Sequence, residues 1–235
     1  MLLLLRHRGE IRWRNTIRYS LAIFDLDGTL LDTLPDIATA ANEVLDNMGL
    51  PTHPPEDYSG FIGSGVVVLF ERALPEIQRS PQTIRECAAR FVDSYKRHWN
   101  QRTKPYDQIP ELLDALLAAG YKLAILSNKP DPFTKMCVAE YFSAIPFSPV
   151  FGQREGIGRK PDPQAVYEIN KLSGVPAAQL IFVGHTTVDV KTAKNAGICA
   201  AGATWGYWPR EELVLSGADF LVDHPLELLS LLTVV

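Results

Sequence analysis

Three carboxylates and two hydroxyls crowd into one short stretch, Phe24-Asp25-Leu26-Asp27-Gly28-Thr29-Leu30-Leu31-Asp32-Thr33. The apolar run just before it, Leu21, Ala22, Ile23 and Phe24, suits a buried strand and is too short for a helix. Side chains two apart on a strand point the same way, so Asp25 and Asp27 can both project from its end. Gly28 then permits a sharp turn. Converging carboxylates repel each other, and such an arrangement is kept mainly for a cation or an acid/base task.

Three further strand ends carry polar groups of the same kind. Lys122 to Leu126 reads as a strand ending in Ser127-Asn128-Lys129-Pro130, where a hydroxyl and free backbone amides suit a phosphate. Val150 begins another strand, followed by a glycine-rich loop and Arg159-Lys160-Pro161-Asp162-Pro163. Leu180 to Val183 forms a buried strand that runs into Gly184-His185-Thr186-Thr187-Val188-Asp189 and a helix closed by Gly197.

Asp-x-Asp-Gly-Thr after a hydrophobic strand resembles the first motif of the haloacid dehalogenase superfamily of phosphotransferases. The resemblance implies that Asp25 is a nucleophile that takes a phosphoryl group as an aspartyl-phosphate. Asp27 would be the general acid for the leaving group and later the base for water. Thr29 would help fix the loop and stand near the phosphate. Ser127, with Asn128, corresponds to the second motif and binds phosphate, and Lys160 to the third, neutralising Asp25 and the phosphoryl oxygens.

The fourth motif is usually Gly-Asp-x-x-x-Asp, and here the place of its first acid holds His185. The family's cofactor, Mg²⁺, would then rest on Asp25, Asp27 through its carbonyl, and Asp189. Mg²⁺ prefers hard oxygen ligands, whereas imidazole suits Zn²⁺ or Ni²⁺ better. Three outcomes are open: weaker Mg²⁺ binding, another divalent metal, or loss of most turnover.

The elements that must position these residues alternate strand and helix, implying a doubly wound, Rossmann-like parallel α/β sheet with its site at the carboxyl edge. Helical spacing from Pro35 through Ile37, Ala41, Val44 and Met48, and again from Pro81 to Trp99, leaves no strand between Leu34 and Lys104. The expected division is therefore an α/β core over 19–34 and 105–235, with an all-helical cap over 35–104. Gly60-Phe61-Ile62-Gly63-Ser64-Gly65 reads by itself as a turn that starts a helix. It also resembles the cap loop of phosphoglycolate phosphatase-like members, which would place Gly63 at the substrate. Thr204-Trp205-Gly206-Tyr207, followed by Arg210-Glu211-Glu212-Leu213, is similar to a segment of the same members; by itself it reads as an aromatic loop on the core.

A net charge of −4 gives no electrostatic reason to expect nucleic acid or an anionic membrane as partner. Cys87, Cys137 and Cys199 lie far apart without metal-site spacing, which suits a reducing cytoplasm. Met1 to Leu5 is too short an apolar run for a signal peptide and Arg6, Arg8, Arg12 and Arg14 follow it, so residues 1–18 read as an extension outside the fold. No later segment approaches the length of a membrane span. The expected function is a Mg²⁺-dependent phosphatase for a small phosphorylated substrate, acting as a monomer or homodimer. The alternatives are a catalytically weakened relative that binds a phosphorylated ligand or partner, and a sugar phosphomutase.

Overall fold

The structure is a computed structural model and describes residues 19–232; the expected extension over 1–18 lies outside them. Six parallel strands form the central sheet in the order β5-β4-β1-β6-β7-β8: β1 (Leu21–Phe24), β4 (Lys122–Pro130), β5 (Val150–Gln153), β6 (Leu180–Gly184), β7 (Cys199–Ala203) and β8 (Phe220–Val222). The chain leaves β1 toward β4 and β5, then returns to the other side of β1 for β6, β7 and β8. That reversal places the topological switch point, where a crevice opens at the carboxyl ends of the strands, beside β1.

Both faces of the sheet are covered, and the period-2 alternation of the strands divides their side chains between two cores. Ala22, Phe24, Leu123, Ile125, Ile181 and Val183 face one core, shared with α4 (Ile109–Ala118), α5 (Asp131–Tyr141) and α9 (Glu227–Leu232). Leu21, Ile23, Ala124, Leu126, Leu180 and Phe182 face the other, shared with α6 (Gln164–Ser173), α7 (Thr187–Ala196) and α8 (Arg210–Leu215). All four side chains of β1 are fully buried, each large one contributing roughly 1.5–3 kcal/mol by leaving water.

The helical insertion is present between two very short strands. β2 (Leu31–Asp32) and β3 (Lys104–Pro105) pair antiparallel, so the chain enters and leaves the insertion side by side. Its helices, α1 (Leu34–Asn47), α2 (Val66–Ala73) and α3 (Pro81–His98), enclose a third core with Tyr58, Phe70, Phe91 and Tyr95. Buried Asp36 ties the two ends together. Its carboxylate accepts hydrogen bonds from the Arg102 and Thr103 amides and the Thr103 hydroxyl, at 2.8–3.0 Å.

Two elements depart from the sequence reading. α5 follows Ser127-Asn128-Lys129-Pro130 directly, with Phe133, Thr134, Cys137 and Val138 buried, where the prolines 130 and 132 hide the helical spacing. Ser127 to Pro130 is also not a free strand tip: β4 continues through it with a register shift against β5. No helix among the described residues is long and apolar enough to cross a membrane.

Candidate active site

The loop after β1 is wound tightly enough to fix its acids. The amides of Thr29, Leu30 and Leu31 all donate to the Leu26 carbonyl, at 3.3, 3.0 and 3.0 Å, and Gly28 takes a φ of 77°. Asp25, still held to β6 through its amide and the Val183 carbonyl, is 5% exposed. Its Oδ1 accepts from Lys160 Nζ at 2.8 Å, and its Oδ2 lies 3.4 Å from the Thr29 hydroxyl and 3.5 Å from His185 Nδ1. Burial works against this charge, but the Lys160 ammonium, joined by His185, holds the Asp25 carboxyl well below the usual carboxylate range.

Lys160 comes from the loop before α6 and is spent entirely within the site. Its three N–H groups meet Asp25 Oδ1 at 2.8 Å, Asp189 Oδ1 at 2.7 Å and the Leu126 carbonyl at 3.1 Å. Burial lowers its proton affinity, and the Asp189 and Asp25 carboxylates more than restore it. Asp189 is committed as well. Its Oδ2 accepts from the Thr186 amide at 2.9 Å and hydroxyl at 2.7 Å, while its own amide donates to the Thr186 hydroxyl at 3.3 Å. This reciprocal cap starts α7.

Asn128, expected at the phosphate, borders the cavity beside Ser127 and also joins two loops. Its Nδ2 donates to the Gly63 and Lys160 carbonyls, each at 3.1 Å, and its Oδ1 accepts from the Lys160 amide at 2.9 Å. The carboxamide's donors are used in this clamp, so it positions Lys160 and Gly63. Thr29, also expected near the phosphate, stands behind Asp25 and does not line the cavity. Ser127, Asn128, Asp25, Asp27, Gly63 and His185 border one cavity of about 70 Å³. The insertion closes it with Ile37, Ile62, Val66, Leu69, Phe91 and Tyr95.

Two cavity residues were absent from the sequence reading. Lys129 Nζ donates to Asp27 at 2.9 and 3.3 Å and to the Tyr95 hydroxyl at 2.7 Å. Burial opposes its charge, yet Asp27 and Tyr95 hold the Lys129 ammonium well above the usual lysine range. Its position two residues after Ser127, on the same face of the strand, was the available signal. Tyr95 lay inside a helical apolar stripe and looked like core alone.

His185 is 1% exposed and packs between glycines. A Cβ on Gly28 would stand 2.4 Å from its Nε2, and one on Gly206 would stand 2.5 Å from its Cβ. Tyr207 meets the ring edge-on at 5.2 Å between centroids. Nδ1 faces Thr29 Oγ1 at 3.2 Å and Asp25, while buried Nε2 has no hydrogen-bond partner. Asp25, His185 and Asp189 bring possible ligand atoms within 4.8 Å of one another. That mixed nitrogen and oxygen set fits a divalent cation, and borderline ions such as Zn²⁺ or Ni²⁺ better than Mg²⁺.

A parallel sheet with acids at the end of its central strand and a helical insertion right after them defines a class. The chain belongs to the haloacid dehalogenase-like hydrolases, whose family profile it matches over residues 22–203. Among individual relatives, it is 33% identical to the phosphoglycolate phosphatase of Vibrio parahaemolyticus, over 91% of this chain and 96% of that one. It is 32% identical to the phosphoglycolate phosphatase of Aquifex aeolicus, over 89% and 95%. A crystal structure from Lactobacillus delbrueckii subsp. bulgaricus superimposes with a TM-score of 0.87 at 31% identity, covering 92% of this chain and 98% of that one.

Proposed function

We propose that the protein is a phosphatase that hydrolyses phosphomonoesters of small metabolites, with phosphoglycolate as the first substrate to test. The observation that carries this is Asp25 and Asp27, two positions apart just past the end of β1, opening on one small cavity. The names of the relatives support the same choice of substrate.

In the mechanism we propose, an Asp25 carboxylate oxygen attacks phosphorus and forms an O–P bond. The ester P–O bond breaks, its electron pair stays on the leaving oxygen, and Asp27 supplies the proton. Water then attacks the phosphorus of the aspartyl-phosphate and gives its proton to Asp27, which releases phosphate and restores Asp25. The low proton affinity of Asp25 keeps it ionised and nucleophilic at neutral pH. Ser127 presents its hydroxyl to the phosphoryl oxygens, and Lys160 orients Asp25 and balances its charge. A divalent cation held by Asp25, the Asp27 carbonyl and Asp189, with His185 beside them, would neutralise charge on the phosphoryl oxygens. In the family this ion is Mg²⁺. The cap over 35–104 acts as the lid, excluding water with an apolar wall and admitting only small esters. The chain's three free cysteines, Cys87, Cys137 and Cys199, suit the cytoplasm, where we place the protein.

The test is phosphate release from phosphoglycolate and a panel of small phosphomonoesters, with Mg²⁺, Mn²⁺, Co²⁺ or chelator. Asp25→Asn is expected to lower turnover by at least about 10³-fold. Ordinary turnover by that variant would remove the nucleophile assignment. His185 favours a second reading, a weakened relative that binds a phosphorylated ligand without consuming it. Turnover of roughly 1 per second or more would remove that reading.

A further inference from the structure

We propose that Tyr95, on the helical insertion, is a positioning residue that acts through Lys129 to aim Asp27 at the leaving oxygen. The inference rests on the phosphatase reading above and extends it to a residue outside the strand ends. Asp27 is the more exposed of the two acids, its side chain 18% exposed against 7% for Asp25. Asp25 is held by Lys160, and the corresponding hold on Asp27 is the Lys129 ammonium, at 2.9 and 3.3 Å from its two oxygens.

Lys129 is itself aimed by the insertion. Its Nζ lies 2.7 Å from the Tyr95 hydroxyl and 4.5 Å from the Tyr95 ring centre. The tyrosine cannot easily turn away. It is stacked on Phe91 at 5.3 Å with 12° between ring planes, and Phe133 of α5 meets it edge-on at 5.0 Å. A rigid ring on α3 therefore fixes one end of a flexible lysine whose other end holds the acid. Among the described residues, Lys129 is the one lysine or arginine that borders the cavity. The arrangement makes proton delivery depend on the insertion being seated over the sheet.

Protonation matters only for a poor leaving group. An alkyl phosphate must receive a proton on the departing oxygen as its P–O bond breaks, whereas p-nitrophenolate departs without one. The experiment compares kcat/KM for phosphoglycolate and p-nitrophenyl phosphate in the unchanged protein, Tyr95→Phe, Lys129→Met and the double variant. For Tyr95→Phe, the alkyl-to-aryl ratio is expected to fall about tenfold or more, a part of the roughly 10²–10⁴-fold that a general acid contributes. The double variant should match Lys129→Met, because the hydroxyl acts only through the lysine. An unaltered ratio in Tyr95→Phe, or losses that multiply in the double variant, would overturn the proposal while leaving the phosphatase reading intact. Failure of the unchanged protein to turn over either ester would overturn both.

Discussion

Replacing His185 with aspartate exchanges a buried imidazole for a fourth carboxylate. Asp25, Asp27 and Asp189 are already met by only two ammonium groups, Lys129 and Lys160. At the 3.5 Å that separates His185 from Asp25 Oδ2, two like charges repel by about 5 kcal/mol at an effective dielectric constant near 20. Without a divalent cation the variant should therefore melt below the unchanged protein, by roughly 10–20 °C at 2–4 °C per kcal/mol. With Mg²⁺ at about 100 times its dissociation constant, binding returns roughly 2.7 kcal/mol, or about 5–10 °C. The unchanged protein, lacking that oxygen ligand, should respond to the same Mg²⁺ by less than about 2 °C. Thermal melts of both proteins in chelator and across a Mg²⁺ titration read these shifts directly. Equal Mg²⁺ responses, or a variant that is the more stable one in chelator, would refute the charge argument.

Lys160→Met should cost about 3–5 kcal/mol, because it leaves two buried carboxylates facing each other. Denaturant unfolding checks this, and a loss under about 1 kcal/mol would contradict the bridging role. Glu43→Gln tests the contact between α1 and α3, where Glu43 accepts from His98 Nε2 at 2.6 Å, Ser94 Oγ at 3.0 Å and Arg97. His98, with Ser94 and Arg97, lowers the Glu43 proton affinity from its ordinary 4.5. A depressed carboxyl stabilises the fold above its unfolded value and loses that contribution as pH falls through the folded one. With its side chain 32% exposed, the effect is screened to roughly 0.5–1 kcal/mol at pH 7. The two proteins should converge in stability in acid; a pH-independent gap would show that the charge is not the cause.

The central strand and its acids were legible because their signals are local. The continuous apolar run of β1 marks a strand buried on both faces, and Asp25 and Asp27 follow at its end. The motif order also pointed to Ser127 and Lys160, and the departure at His185 was visible as a residue type. What each group touches was not legible. Asn128 read as a group at the strand end, and nothing along the chain records that its amide joins the Gly63 and Lys160 carbonyls. Tyr95 and Lys129 meet from different elements, and no spacing along the chain records that contact. α5 was hidden by prolines at its start, which end helices elsewhere but fit the first turn of one.

The two-stranded ribbon of β2 and β3 has a consequence for how the molecule can vary. Because residues 33–103 depart and return at adjacent points, the sheet is indifferent to how much chain lies between them. Lengthening or exchanging that segment would leave every strand register unchanged, since loop-closure cost grows only slowly with length. Asp25 and Asp27 and the apolar wall over them thus belong to two separately replaceable parts, joined at a doorway two residues wide on each side.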